Sequence, residues 1–238
     1  AEEMAGFNAQ AFLDSDDEYP STTLRWYGHA FIYLISKSGV RVAVNPFMRE
    51  AYSYTYPDSL PADIVLISSE SADMAGGRDL TGLPQAFRSV AAIGTHRANG
   101  ITFQGTRTYR DGKRGKEQGT NTVFSFKMDG IRYAHLGGLG HIPDSRQRRA
   151  IGSVDVLFLP LGFFRLETEE WLQIAKDLRA KLIIPICLKT ERTSNLSLRS
   201  WSEVKLEGIP VESLDHSEIQ IRKDLLPAEM TILLLQSP

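Results

Sequence analysis

Residues 63–77 read DIVLISSESADMAGG. The run from Ile64 to Ile67 is short, apolar and rich in β-branched residues, as in a strand buried on both faces. A Ser-rich turn follows, then Asp73, Met74 and the pair Gly76-Gly77. A buried strand that delivers polar side chains at its C-terminal end is a frequent frame for a metal-binding loop. Here the frame is present, but the ligand types are mostly missing.

On the N-terminal side, TLRWYG (23–28), AFIYLIS (30–36) and VRVAVNPF (40–47) form a meander of strands punctuated by Gly and turn residues. Beyond the opening stretch a short helix is expected around Leu83 to Phe87, and a strand over VAAIG (90–94). GITFQGTRTY (100–109) and NTVFSFKMDGIRYAH (121–135) read as strands, the second a hairpin turning at Asp129-Gly130. The polar, Gly-rich RDGKRGKEQGT (110–120) between them reads as a solvated, mobile loop. SRQRRAIG (145–152) is a short helix and VDVLFLPLG (154–162) a buried strand. In ETEEWLQIAKDLRA (167–180), Trp171, Ile174, Ala175 and Leu178 recur at i, i+3, i+4 and i+7, the clearest helical face in the chain. KLIIPIC (181–187) is a further buried strand, and the tail alternates short strands with loops.

The order of elements predicts a single α+β layered sandwich over residues 22–238, preceded by a lead-in of residues 1–21. The acidic run DSDDEYP (14–20) marks that lead-in as solvated. The chain has 238 residues, of which 42% are hydrophobic, enough for one large core. A net charge of −2 gives no global attraction to nucleic acid or to a membrane surface. No apolar run approaches the roughly 20 residues that span a bilayer. The single Cys excludes an intramolecular disulfide. The first residues suit either a cytoplasmic chain or one exported after signal-peptide removal, and localisation stays open.

Several stretches together resemble the metallo-β-lactamase-fold hydrolases, in the branch of lactonase-like and phospholipase D-like metal-dependent enzymes. LRWYGHAFIYLI (24–35) resembles the opening strand pair with its Gly-His, and VRVAVNPF the strand that usually ends in Asp-Pro-Phe. The opening stretch occupies the place of the His-x-His-x-Asp-His motif. YAHLGGLGH (133–141) resembles His-Leu-Gly-Asp-Leu-Gly-His, and LIIPICLKT (182–190) a segment that normally reads Ile-Pro-Met-His. The resemblance implies a four-layer αββα sandwich of two mixed sheets with outer helices, and a two-metal hydrolytic centre at one edge.

Carried over position by position, the family's ligands fall on Ser69, Ser71, Asp73, Met74, Tyr109, Gly138 and Cys187. Only Asp73 keeps its ligand type. The Asp of Asp-Pro-Phe is Asn45, and Arg110 follows Tyr109. Hydroxyls and a thioether are poor partners for a hydrolytic metal, and Gly138 removes the carboxylate that would bridge two ions. The expectation is a dismantled dinuclear site with no cofactor. The alternative is one weakly bound zinc.

Other residues have plainer readings. Asp73 is expected to hold its turn by accepting backbone N–H groups. His29, His135 and His141 are read as orienting groups rather than as a substitute metal site. Cys187 ends a core strand, with a reactive thiol as the less favoured reading. Tyr52 and Tyr54, in AYSYTYP (51–57), are candidate ligand contacts together with His29, Asn45, Arg110, His135 and His141. The function expected is that of a binding or interaction protein on a hydrolase scaffold. The alternatives are a residual hydrolase of lactones or phosphodiesters and a structural, oligomerising subunit. The partner is a small molecule or a protein, with nucleic acid and membrane excluded and a homo-oligomer left open.

Overall fold

The computed structural model describes residues 6–14, 18, 20–194, 196–204 and 206–238. Two mixed sheets face each other. The first has six strands: β1 (Ser21–Gly28), β2 (Phe31–Ile35), β3 (Arg41–Val44), β4 (Ile64–Ile67), β5 (Gln85–Arg88) and β13 (Glu218–Arg222), in the order β13-β1-β2-β3-β4-β5. The second has eight: β6 (Gly94–Ala98), β7 (Ile101–Tyr109), β8 (Thr120–Met128), β9 (Ile131–His135), β10 (Val156–Leu159), β11 (Leu182–Pro185), β12 (Val211–Leu214) and β14 (Thr231–Leu235), in the order β12-β14-β11-β10-β9-β8-β7-β6. The β8–β9 hairpin turns at Asp129-Gly130, both with positive φ, as its sequence predicts.

Side-chain alternation separates the layers. Ile32, Leu34, Val42, Val44, Ile64 and Leu66 point inward to meet Phe103, Phe124, Phe158, Leu182 and Ile184 in one core. On the outer face of the eight-stranded sheet, Ala134, Leu157, Leu159 and Ile183 are covered by helix α2 (Thr168–Asp177) through Trp171, Ile174 and Ala175. Helix α1 (Ser145–Ile151) adds Ile151 and starts at a capping box on Asp144. The outer face of the six-stranded sheet has an aromatic cover instead of a helix: Phe47, Tyr54, Tyr56 and Leu60 pack on Phe31, Tyr33, Val65 and Ile67.

Four local expectations are corrected. Residues 85–88 form strand β5, parallel to β4, rather than a helix. Pro84 disfavours helical backbone at Leu83, and the open side of β4 supplies ladder bonds that a helix would forgo. Residues 89–92 form a 3₁₀ turn, and the strand expected at 90–94 begins only at Gly94. The lead-in is not wholly solvated: the 3₁₀ turn Ala9–Leu13 buries Ala9 and Phe12 in the main core. Most of the acidic run 14–20 lies outside the described residues. The loop after β7 is ordered around Asp111, whose carboxylate accepts the backbone N–H groups of Lys113, Gly115, Glu117 and Gln118 at 2.7–3.1 Å. Those bonds hold the Asp111 carboxyl down at about 2.

Trp171 is fully buried at the centre of the helical cover, whereas Leu83 is 99% exposed. Trp171→Ala should lower unfolding free energy by about 3–5 kcal/mol. Leu83→Ser should change it by less than about 0.5 kcal/mol. Urea denaturation of the two variants checks the pair.

Candidate functional site

Parallel strands β3, β4, β9, β10 and β11 all end at the same edge of the sandwich, and the loops that follow them converge there. His29, between β1 and β2, joins them. The backbone at this edge is unusual: His29, Asn45 and Cys187 all have left-handed φ angles of 47°, 50° and 58°. Non-glycine residues adopt such angles at some energetic cost, and they cluster where loops must aim side chains.

A buried polar network joins the two sheets beneath the site. His135 is fully buried. Its Nδ1 accepts the Gly137 N–H at 3.0 Å and faces the Asn45 amide at 3.2 Å. Nδ1 is therefore unprotonated, and Nε2–H donates to the Ala30 carbonyl at 2.9 Å. Asn45 donates to Ser68 Oγ and accepts the Ser68 N–H at 2.7 Å. Asn121 on β8 donates to the Leu136 carbonyl and accepts the Gly138 N–H, which fixes the turn after β9. Gly137 has φ 60°, and a Cβ there would fall 2.6 Å from Ser68 and Asn121. His135 and Asn45, expected at the pocket, thus serve as the bolt under it.

The positions where the resemblance places metal ligands come together above this network. Ser69 Oγ lies 2.8 Å from Ser71 Oγ and 3.7 Å from Met74 Sδ. Met74 and Cys187 are completely buried, and burial pushes the Cys187 thiol well up, so it is not a ready nucleophile. Tyr109 ends β7 and turns aside: its N–H donates to His141 Nε2 at 3.2 Å, and the two rings pack together. His141 Nδ1–H donates to the Ile142 carbonyl at 2.9 Å. His141 thus braces the loop after β9 and is not a site group.

Asp73 does not hold its turn through backbone bonds as expected. The turn closes by Met74 and Ala75 N–H groups donating to the Ser71 carbonyl. The Asp73 carboxylate instead faces His29 Nε2 at 3.5 Å and Arg110 Nη2 at 3.8 Å. Burial opposes its ionisation, but the His29 ring, the Ser71 hydroxyl and Arg110 outweigh burial and hold the carboxyl far below the usual range. The His29 ring lies 4.6 Å from the Tyr52 ring, and Phe163 meets it edge-on at 5.8 Å. Tyr52 is therefore at the site. Tyr54 is not, because its ring packs on Gly28 in the aromatic cover and its hydroxyl lies 2.5 Å from Thr190 Oγ1.

Arg165, after β10, completes the cluster and carries no motif in the sequence. Its Nη1 donates to the Gly138 carbonyl at 2.8 Å, and its Nε donates to Gln118 of the Asp111-ordered loop. A Cβ at Gly138 would lie 3.2 Å from Arg165 Nη1, 3.3 Å from Arg110 Nε and 3.5 Å from Met74 Cε. Two guanidinium groups thus flank the point where the family's bridging carboxylate would begin. Burial, then the neighbouring Arg110 charge, pulls the Arg165 pKa down to about 10.

These residues do not fit a two-metal centre. Among the described residues no three His, Cys, Asp or Glu side chains are grouped to hold an ion. One carboxylate, paired hydroxyls, a thioether and a buried thiol make a poor donor set. Two guanidiniums beside them would repel a divalent cation.

A two-sheet sandwich whose strand-end loops meet at one edge is the architecture of a metal-dependent hydrolase scaffold, and comparison with known proteins agrees. The family model for the beta-lactamase superfamily domain matches residues 23–187, and the chain belongs to that family. A Thermotoga maritima protein assigned to the Zn-dependent hydrolases of the metallo-beta-lactamase superfamily is 25% identical, with a TM-score of 0.69 over 91% of this chain and 100% of that one. A Parabacteroides distasonis protein assigned as a metal-dependent hydrolase is 16% identical, with a TM-score of 0.59 over 72% of this chain and 84% of its own. The Bacillus subtilis metallo-beta-lactamase fold protein YhfI is 10% identical, with a TM-score of 0.55 over 92% and 97% of the two chains. A search of the curated proteins finds no match.

The His135 bolt carries a pH signature. Burial, only partly offset by the bond to Ala30, lowers the ring's pKa to about 4, against an ordinary value near 6.5. The unfolded chain binds the proton more readily, so the bolt's contribution is complete above about pH 6.5. It is lost as pH falls toward about 4, for a total of about 3 kcal/mol. Denaturant midpoints measured from pH 7 to 4 should fall in the wild type, and more shallowly in His135→Gln from a lower starting value.

Proposed function

We propose that this chain is a binding protein built on the hydrolase scaffold, with no metal and no metal-dependent hydrolysis at the old centre. The observation that carries this reading is the pair of guanidiniums, Arg110 and Arg165, beside the bare Gly138. In the family's chemistry, metal ions acidify a water and polarise the scissile bond. Arginine does not acidify a water in that way, and the trio of Ser69, Ser71 and Met74 supplies no general base. What the cluster supports is recognition: part-exposed cationic and hydroxyl donors at the mouth, over a floor of buried Met74, Gly138 and Cys187.

Purified protein should contain far less than one equivalent of zinc, manganese or iron by elemental mass spectrometry. Added zinc should leave the melting temperature unchanged. Lactone and phosphodiester substrates should be untouched with or without metal. A near-stoichiometric metal that leaves on Asp73→Ala, with hydrolysis that leaves alongside it, would contradict the proposal.

A further inference from the structure

We infer that the cleft between Arg110 and Arg165 binds a small monoanionic carboxylate; this assignment rests on the metal-free reading of the site.

The charges in the cluster do not balance. Two guanidiniums share it with Asp73; the Asp111 carboxylate, which also acts on Arg165, is taken up by four backbone N–H groups. Arg165 forms no ion pair among the described residues; its two hydrogen bonds there go to neutral acceptors, Gln118 and the Gly138 carbonyl. Arg110 meets Asp73 at 3.8 Å, beyond hydrogen-bond reach. Arg165 therefore has no direct anionic partner in a partly desolvated place, where an uncompensated cation is costly.

Several donors in the same place are unused. Among the described residues, Arg110 Nε is buried with no hydrogen-bond partner. His29 is 1% exposed; its Nε2 faces Asp73 at 3.5 Å, and its Nδ1 has no hydrogen-bond partner among the described residues. Buried donors in folded proteins are nearly always satisfied, and unsatisfied ones gathered around Asp73 mark a missing acceptor.

The cleft also has space. No side chain stands between the two guanidinium groups, because residue 138 is glycine; a Cβ there would lie 3.2 Å from Arg165 Nη1 and 3.3 Å from Arg110 Nε. Gly138 does not have a positive φ, so its backbone would accept a side chain. A planar carboxylate offers two oxygens to two guanidinium forks and supplies the direct anionic partner that Arg165 lacks. The Tyr52 ring beside His29 supplies an apolar wall for the organic part of the acid, and Phe163 supports the Arg165 guanidinium, which stacks 4.2 Å from its ring centre.

Chelator-treated protein, with its metal content measured on the same sample, is titrated with acetate, benzoate and inorganic phosphate by calorimetry. Acetate and benzoate should bind saturably, benzoate the tighter. Arg165→Gln should weaken both by roughly tenfold or more, and Arg165→Lys should restore part of the loss. Gly138→Asp should supply the carboxylate from within: its melting temperature should rise and acetate binding should vanish. Absence of acetate binding in metal-free protein, or equal binding in all variants, overturns the ligand assignment alone. Phosphate binding in preference to acetate also overturns it. Acetate binding that appears only when zinc is restored overturns the metal-free reading as well.

Discussion

The buried imidazole of His135 is the constraint on which the site depends. It ties the end of β9 to the Ala30 carbonyl in the opposite sheet and to Asn45 at the end of β3. Ser68 and Asn121 extend the same network to β4 and β8. Two sheets pressed together by apolar side chains alone would be free to slide, because the hydrophobic effect is not directional. Hydrogen bonds buried at one edge fix the register there, since a small displacement leaves several polar groups unpaired. The loops that carry Ser69, Asp73, Gly138 and Cys187 are then held by the protein itself.

Above that network the electrostatics are of an unexpected kind. A hydrolytic centre of this family would place cations from solution among protein anions. In this chain the cations near Gly138 are side chains, and of the positions where the resemblance places ligands only Asp73 is an anion. The Asp111 loop contributes indirectly: its carboxylate gathers four backbone N–H groups, and Gln118 at the end of that loop holds Arg165 over Gly138. The two guanidinium groups are partly exposed, while Arg110 Nε is buried with no hydrogen-bond partner among the described residues.

Much of this was legible in the sequence. Apolar runs such as IVLI and VLFL became central strands, and the period of Trp171, Ile174, Ala175 and Leu178 became the helix over the larger sheet. The replaced ligand positions could be located because they sit at strand ends whose order is set by the fold. Other features depend on tertiary contacts that leave no local pattern. Residues 85–88 are a strand because β4 needs a parallel neighbour, and Tyr54 and Tyr56 form a layer because the smaller sheet has no covering helix among the described residues. Arg165 follows two Phe residues in a turn and matches no motif. It was discoverable only by asking which residues follow the C-terminal end of β10, the edge where open sheets of this kind bind ligands.

The central claim is that guanidinium groups, and not metal ions, stand between Asp73 and Gly138. Anomalous diffraction from crystals grown with zinc and manganese tests it directly. Density for Arg110 and Arg165 should flank Gly138, with no anomalous peak within bonding distance of Asp73 or Cys187. A peak there, with the two arginine side chains swung away, would contradict the claim.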